Sequence, residues 1–240
     1  MRRRIFISFL ILGCSAKKTP SETPITYDDI MNEAWTKYSV FEFSQARNLF
    51  SQALSINSRD REAYYGNALS SASLSLYQEA FSLSSSGIFA EGEPPLKKVV
   101  NKIILNAMPD TILYAVSIPT LKDIDSLLWN VIILSSGLGY LSDNFNQAMV
   151  YGYLAYFTNP KGSLKSRIVK KFTLSDNRFN LARVLYKLEL YYNLANLLHD
   201  VYPDWPYSNW GSNVKADIYW SYNNQNAIKS KFYEFLSTQP

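Results

Sequence analysis

The sequence predicts an all-α fold built from antiparallel helix pairs, and three observations carry that expectation. Apolar residues recur at helical spacing, as in Ile30, Ala34, Tyr38 and Phe41, then Leu49, Phe50, Ala53 and Leu54. Residue types recur 34 positions apart: Ala34 with Ala68, Phe43 with Tyr77, Ala46 with Ala80. No segment alternates apolar and polar residues in the manner of a half-buried strand.

The chain opens with Met1-Arg2-Arg3-Arg4 and a short apolar run, Ile5 to Leu12. A basic start, a short apolar stretch and a small residue before the cut form the layout of an export signal, here residues 1–13. The run is far below the roughly 20 apolar residues that span a bilayer. Ile11-Leu12-Gly13-Cys14 resembles the lipobox of bacterial lipoproteins, which implies that Cys14 carries the lipid and becomes the first mature residue. Residues 14–25, with Pro20 and Pro24 and no periodicity, read as a flexible tether. The resemblance also implies a cell-envelope location. Ser15 is not the aspartate that retains lipoproteins in the inner membrane of enteric bacteria, so the outer membrane facing the periplasm is expected.

Removing the signal changes the charge argument. Three of the 24 basic residues leave with it, so the formal +4 falls to 21 bases against 20 acids. A nearly neutral body is not an electrostatic nucleic-acid binder. Lipidation of the single cysteine also excludes an intrachain disulfide or a cysteine metal site.

Thr26 is an N-cap ahead of Asp28 and Asp29, whose carboxylates suit the positive end of a first helix. The period of 34, the paired helices, and the small and aromatic residues at matching positions resemble tetratricopeptide (TPR) repeats, with two copies over residues 26–94. Ser58 departs from the usual proline of that family, Phe41 and Ser75 replace the turn glycine, and Ser84 and Gly87 weaken the second copy. The resemblance implies a right-handed stack with a groove lined by the first helix of each copy. By position it nominates Met31, Trp35 and Tyr38, then Tyr65 and Leu69, as partner-binding residues.

Residues 95–200 read as a degenerate continuation. A helix is expected after Pro94-Pro95 as far as Met108-Pro109, and another from Pro119 through Ile124, Leu128 and Leu134. Residues 127–141 are apolar enough to suggest a membrane span, but Asn130, Ser135, Ser136 and two glycines favour a central core helix. Phe145-Asn146-Gln147-Ala148 repeats the aromatic-x-x-alanine turn, and Phe179-Asn180-Leu181-Ala182 repeats it 34 residues later. The basic run Lys161, Lys165, Arg167, Lys170 and Lys171 reads as the solvated face of a helix packed through Leu164, Ile168 and Phe172. A patch for a membrane or an anionic partner is its functional alternative. Residues 201–240 hold ten aromatics, first in a loop over 202–211, then on a helix from Val214 to Leu236. A cap on the helical stack is expected there, with a ligand-binding floor as the alternative.

Catalytic equipment is sparse. His199 is the only histidine and falls at the end of a helix running from Ser175, where it suits the dipole. Asp123 and Asp125, two apart on the expected helix, point to different sides. No phosphate-cradling glycine loop is present, and no cofactor or metal is expected. The leading expectation is a non-catalytic, lipid-anchored scaffold for an envelope protein or peptide. A small-molecule-binding accessory of a periplasmic uptake system, similar to its TPR-containing T component, is the alternative. A hydrolase with dispersed carboxylates is the third.

Overall fold

The computed structural model describes residues 25–92 and 123–238. The signal, Cys14, most of the tether and the helix expected after Pro95 lie outside the described residues. Ten helices and two three-residue strands make up the regular structure within them, so the fold is all-α. The helices are α1 (Tyr27–Ser39), α2 (Phe43–Ile56), α3 (Arg61–Ser73) and α4 (Tyr77–Phe89), then α5 (Ser126–Leu141) and α6 (Phe145–Tyr156). They continue with α7 (Leu174–Lys187), α8 (Tyr191–His199), α9 (Val214–Asn223) and α10 (Gln225–Ser237).

Eight of these helices form four hairpins, and one turn builds all four. Phe41, Ser75, Asp143 and Glu189 occupy the left-handed region, with φ of 65°, 61°, 59° and 56°. Each is followed by a residue whose N–H reaches back to close the preceding helix: Glu42 to the Lys37 carbonyl (2.9 Å), Leu76 to Ser71 (3.0 Å), Asn144 to Gly139 (2.7 Å) and Leu190 to Leu185 (2.9 Å). Together with the shorter inner bonds, such as Phe41 to Tyr38 at 3.1 Å, this is the Schellman arrangement that satisfies a helix's last carbonyls. An aromatic then opens the second helix every time: Phe43, Tyr77, Phe145, Tyr191. Three positions on, Ala46, Ala80, Ala148 and Leu194 are fully buried at the crossing.

Capping divides the helices the same way. First helices start from a side-chain cap: Thr26, Asp60, Asp125 and Thr173 each accept a backbone N–H. Second helices have none, because they spring directly from the turn. The two families therefore differ in how their first orphan amides are met.

The 34-residue period appears in the helix starts, Tyr27 with Arg61 and Phe43 with Tyr77. It fails at the fourth hairpin. Phe179 lies inside α7, and the turn aromatic there is Tyr191, 46 residues after Phe145. The excess of 12 matches residues 162–173, which separate β2 (Asn159–Lys161) from α7 and carry no regular structure. The helix expected over that basic run does not form. Gly162, at φ +84°, turns the chain out of β2, and the Thr173–Asp176 capping box starts α7. Asp123 and Asp125 lie on β1 (Asp123–Asp125), which pairs in parallel with β2, so α5 begins at Ser126. The long helices expected from Ser175 and from Val214 are each two helices.

Successive helices pack on one another from α1 to α8. First helices also touch in sequence, α1 with α3, α3 with α5 and α5 with α7. Two apolar cores result. One gathers Trp35, Phe50, Tyr65, Ile88 and most of α5. The other gathers Leu181, Leu185, Leu194, Leu198, Trp210 and the inner face of α10, and α9 and α10 both pack on α8. No described helix is long and apolar enough to cross a membrane.

Candidate functional site

Four of the five residues nominated for the groove are interior. Met31, Trp35, Tyr65 and Leu69 are buried in the first core, and only Tyr38 keeps partial exposure. The Trp35 ring packs edge-on against Phe50 at 5.0 Å and near Tyr65 at 6.2 Å. As folded, these four side chains are core rather than partner-facing surface. Residues 162–173 run across the first helices α1, α3 and α5.

That crossing is held by a buried charge. Glu62 on α3 is only 2% exposed, yet both carboxylate oxygens are engaged. Trp35 Nε1 donates to Oε1 at 2.9 Å, Arg167 Nε donates to the same oxygen and Arg167 Nη2 to Oε2 at 3.0 Å. Lys165 Nζ adds a 2.8 Å contact to Oε2. Arg167 also reaches α1, at Asp28 Oδ1 (3.2 Å) and Asn32 Oδ1 (3.1 Å). Burial alone would push the Glu62 carboxyl up. The hydrogen bonds from Arg167 and Lys165, with the Arg167 charge and Trp35, outweigh it and hold the group below the ordinary glutamate range. The same carboxylate borders a concavity of about 450 Å³ shared with Asp60, Arg61, Lys165 and Ile168, where it stays paired with Arg167 and Lys165.

The backbone of the crossing segment is held as well. Tyr65 Oη donates to the Lys170 carbonyl at 2.8 Å, and the Phe172 N–H donates to Asn130 Oδ1 on α5 at 2.6 Å. Ile168 is 2% exposed in the first core, with Leu164 and Phe172 packed beside it. Sequence reasoning placed Arg167 on a solvated face. Its partner lies 105 residues away, and no local spacing signals it.

A second concavity lies between the C-terminal ends of α6 and α8, with a volume of about 290 Å³. From α6 come Tyr153, Tyr156 and Phe157, the first and last stacked at 6.0 Å and 12°. From α8 come Asn193, Asn196, His199 and the capping Asp200. Trp210 closes the side, its Nε1 donating to Asn196 Oδ1 at 2.7 Å. The loop bearing Trp210 is fixed by the buried Asp217, which accepts from Tyr207 Oη and from the Gly211 N–H at 2.9 Å. Burial first, and Asp217 second, push the Tyr207 hydroxyl up to about 12.

His199 is the last residue of α8, and its Nδ1–H donates to the Trp205 carbonyl at 2.8 Å. That bond leaves Nε2 as the unprotonated nitrogen of the neutral ring. The Asp200 side chain reaches solvent, but the protein beside it strips part of its water and raises its carboxyl. The Tyr153 hydroxyl is buried without a hydrogen-bond partner, a state that costs about 1–3 kcal/mol unless something fills it. Among the described residues no cluster of histidine, cysteine, aspartate or glutamate is arranged to hold a metal ion.

No protein-family model matches this chain, and neither a curated protein nor a solved structure is detectably similar to it. Its chemistry must be read from its own geometry.

Proposed function

We propose that this chain is a lipid-anchored, non-catalytic binding protein of the bacterial envelope, facing the periplasm from the outer membrane. Its hairpins form a TPR-like right-handed stack whose first-helix face holds extended chain. One observation carries this reading: residues 162–173 lie on that face in the manner of a bound peptide. They bury one apolar anchor (Ile168), exchange backbone hydrogen bonds with Tyr65 and Asn130, and insert one guanidinium against Glu62. Extended recognition of this kind combines main-chain bonds for affinity with side-chain pockets for specificity. The exposed Val169 marks where a partner segment would meet the bound one.

A photo-crosslinking residue at Val169, in cells that also receive an alkyne fatty acid, tests both parts. Lipid label on the natural protein and none on Cys14→Ala is the expected anchor result. Crosslinking to one envelope protein in stoichiometric yield, lost in Cys14→Ala, is the expected partner result. Equal labelling of the two proteins removes the anchor, and the absence of any discrete crosslink removes the scaffold role of this face.

A further inference from the structure

The aromatic cleft plays no part in the scaffold reading and stands if that reading fails. We propose that it binds a small organic cation, an ammonium group bearing apolar substituents. The rings of Tyr153, Tyr156, Phe157 and Trp210 line it, and the negative faces of aromatic rings attract a cation that carries its own apolar surface. The helix ends point the same way. Tyr156 ends α6 and His199 ends α8, so the negative ends of both helix dipoles border this space.

The formal charge agrees. Asp200 is the only aspartate or glutamate in the lining, and no lysine or arginine joins it. Two helix C-termini and a carboxylate repel an anion. At about 290 Å³ the space sits at the lower end of the roughly 300–1,000 Å³ of ligand pockets, which suits a small head group rather than a drug-sized molecule.

Calorimetric and saturation-transfer NMR titrations of the purified protein test this with choline, its neutral isostere 3,3-dimethylbutan-1-ol, acetate and trehalose. Saturable choline binding is expected, with the isostere weaker by about tenfold or more, the scale of a desolvated cation–π contact. Asp200→Asn, at an exposed capping position, should weaken choline about tenfold with its helical circular dichroism unchanged. Phe157→Leu should weaken it by a similar factor. Three results would overturn the proposal: no saturable choline binding, equal binding of the neutral isostere, or binding of trehalose or acetate in preference. Unchanged choline affinity in a folded Asp200→Asn protein would overturn it as well.

Discussion

The two halves of the molecule use one hairpin and finish it differently. In the first half, the chain lays residues 162–173 over α1, α3 and α5 and locks them to Glu62, so the face closes on itself. In the second half nothing comparable among the described residues covers the ends of α6 and α8, and an aromatic cleft is left between them. The turn geometry is the same in both, with the same left-handed residue and the same back-reaching N–H. The hairpin backbone therefore does not decide which surface is available. On the first-helix face the connection after the third hairpin does, because residues 157–173 leave α6 and cross that face before α7 begins.

Breaking the lock should have the largest effect on that contrast. Arg167→Ala leaves a buried carboxylate with its main partner gone and should cost about 3–5 kcal/mol, read as a fall in the urea midpoint. Glu62→Gln combined with Arg167→Met should cost less than Arg167→Ala alone, because no charge is then stranded. A single-mutant loss below about 1 kcal/mol, the range of surface pairs, would show that the segment is a loose cover.

Next comes packing in the first half. A Cβ on Gly66 would meet the Phe50 ring at 2.2 Å, so Gly66→Ala should lose about 1–3 kcal/mol in thermal or denaturant unfolding. An unchanged midpoint would mean that the α2–α3 contact repacks freely.

Acid should distinguish the halves more gently. The folded Glu62 carboxyl lies below its unfolded value, so its contribution is complete above the ordinary glutamate range. That contribution is lost as pH falls through the folded value. Stability of the natural protein should drop over that acidic window, and Glu62→Gln should flatten the drop. Identical pH profiles for the two proteins would show that Glu62 is not held as described.

The smallest effect sharpens the similarity instead. Ser75→Gly and Glu189→Gly should each stabilise by up to about 1 kcal/mol, because glycine adopts the left-handed turn without a Cβ clash. Equal gains in the two halves are expected from equal turns. A gain at one site only would mean that one turn is strained for another reason.

Much of the hairpin was legible because its signals are local. An aromatic followed three residues later by alanine marks three of the four turns, and Phe41 and Ser75 stood where a glycine belongs. The fourth turn was misplaced to Phe179 because the period was extended through an insertion. Thr173 and Asp176, the same cap signal as Thr26 and Asp29, mark the true start of α7. Leu164, Ile168 and Phe172 at spacing four looked helical, yet the same three residues pack beside the first core from a segment without helix. The Glu62–Arg167 pair was out of reach, since a contact across 105 residues leaves no trace in spacing. The cleft was half visible: the C-terminal aromatics suggested a binding floor, but α6 supplies three of its walls.

The span of the Glu62–Arg167 bridge also fixes an order of events. As the chain is made, residues 25–92 emerge well before residue 167 exists, so Glu62 must stay hydrated while the first hairpins gather. Closure of the first core is thus deferred to the arrival of a distant segment, and such long-range closure slows folding because the loop entropy is spent before the contact forms. A nascent chain halted before residue 162 presents Tyr65 without the Lys170 carbonyl and the Phe172 ring that it meets in the finished fold. Until that point Glu62 lacks its guanidinium partner, and completing the first half of the fold consists in supplying that partner from within the chain.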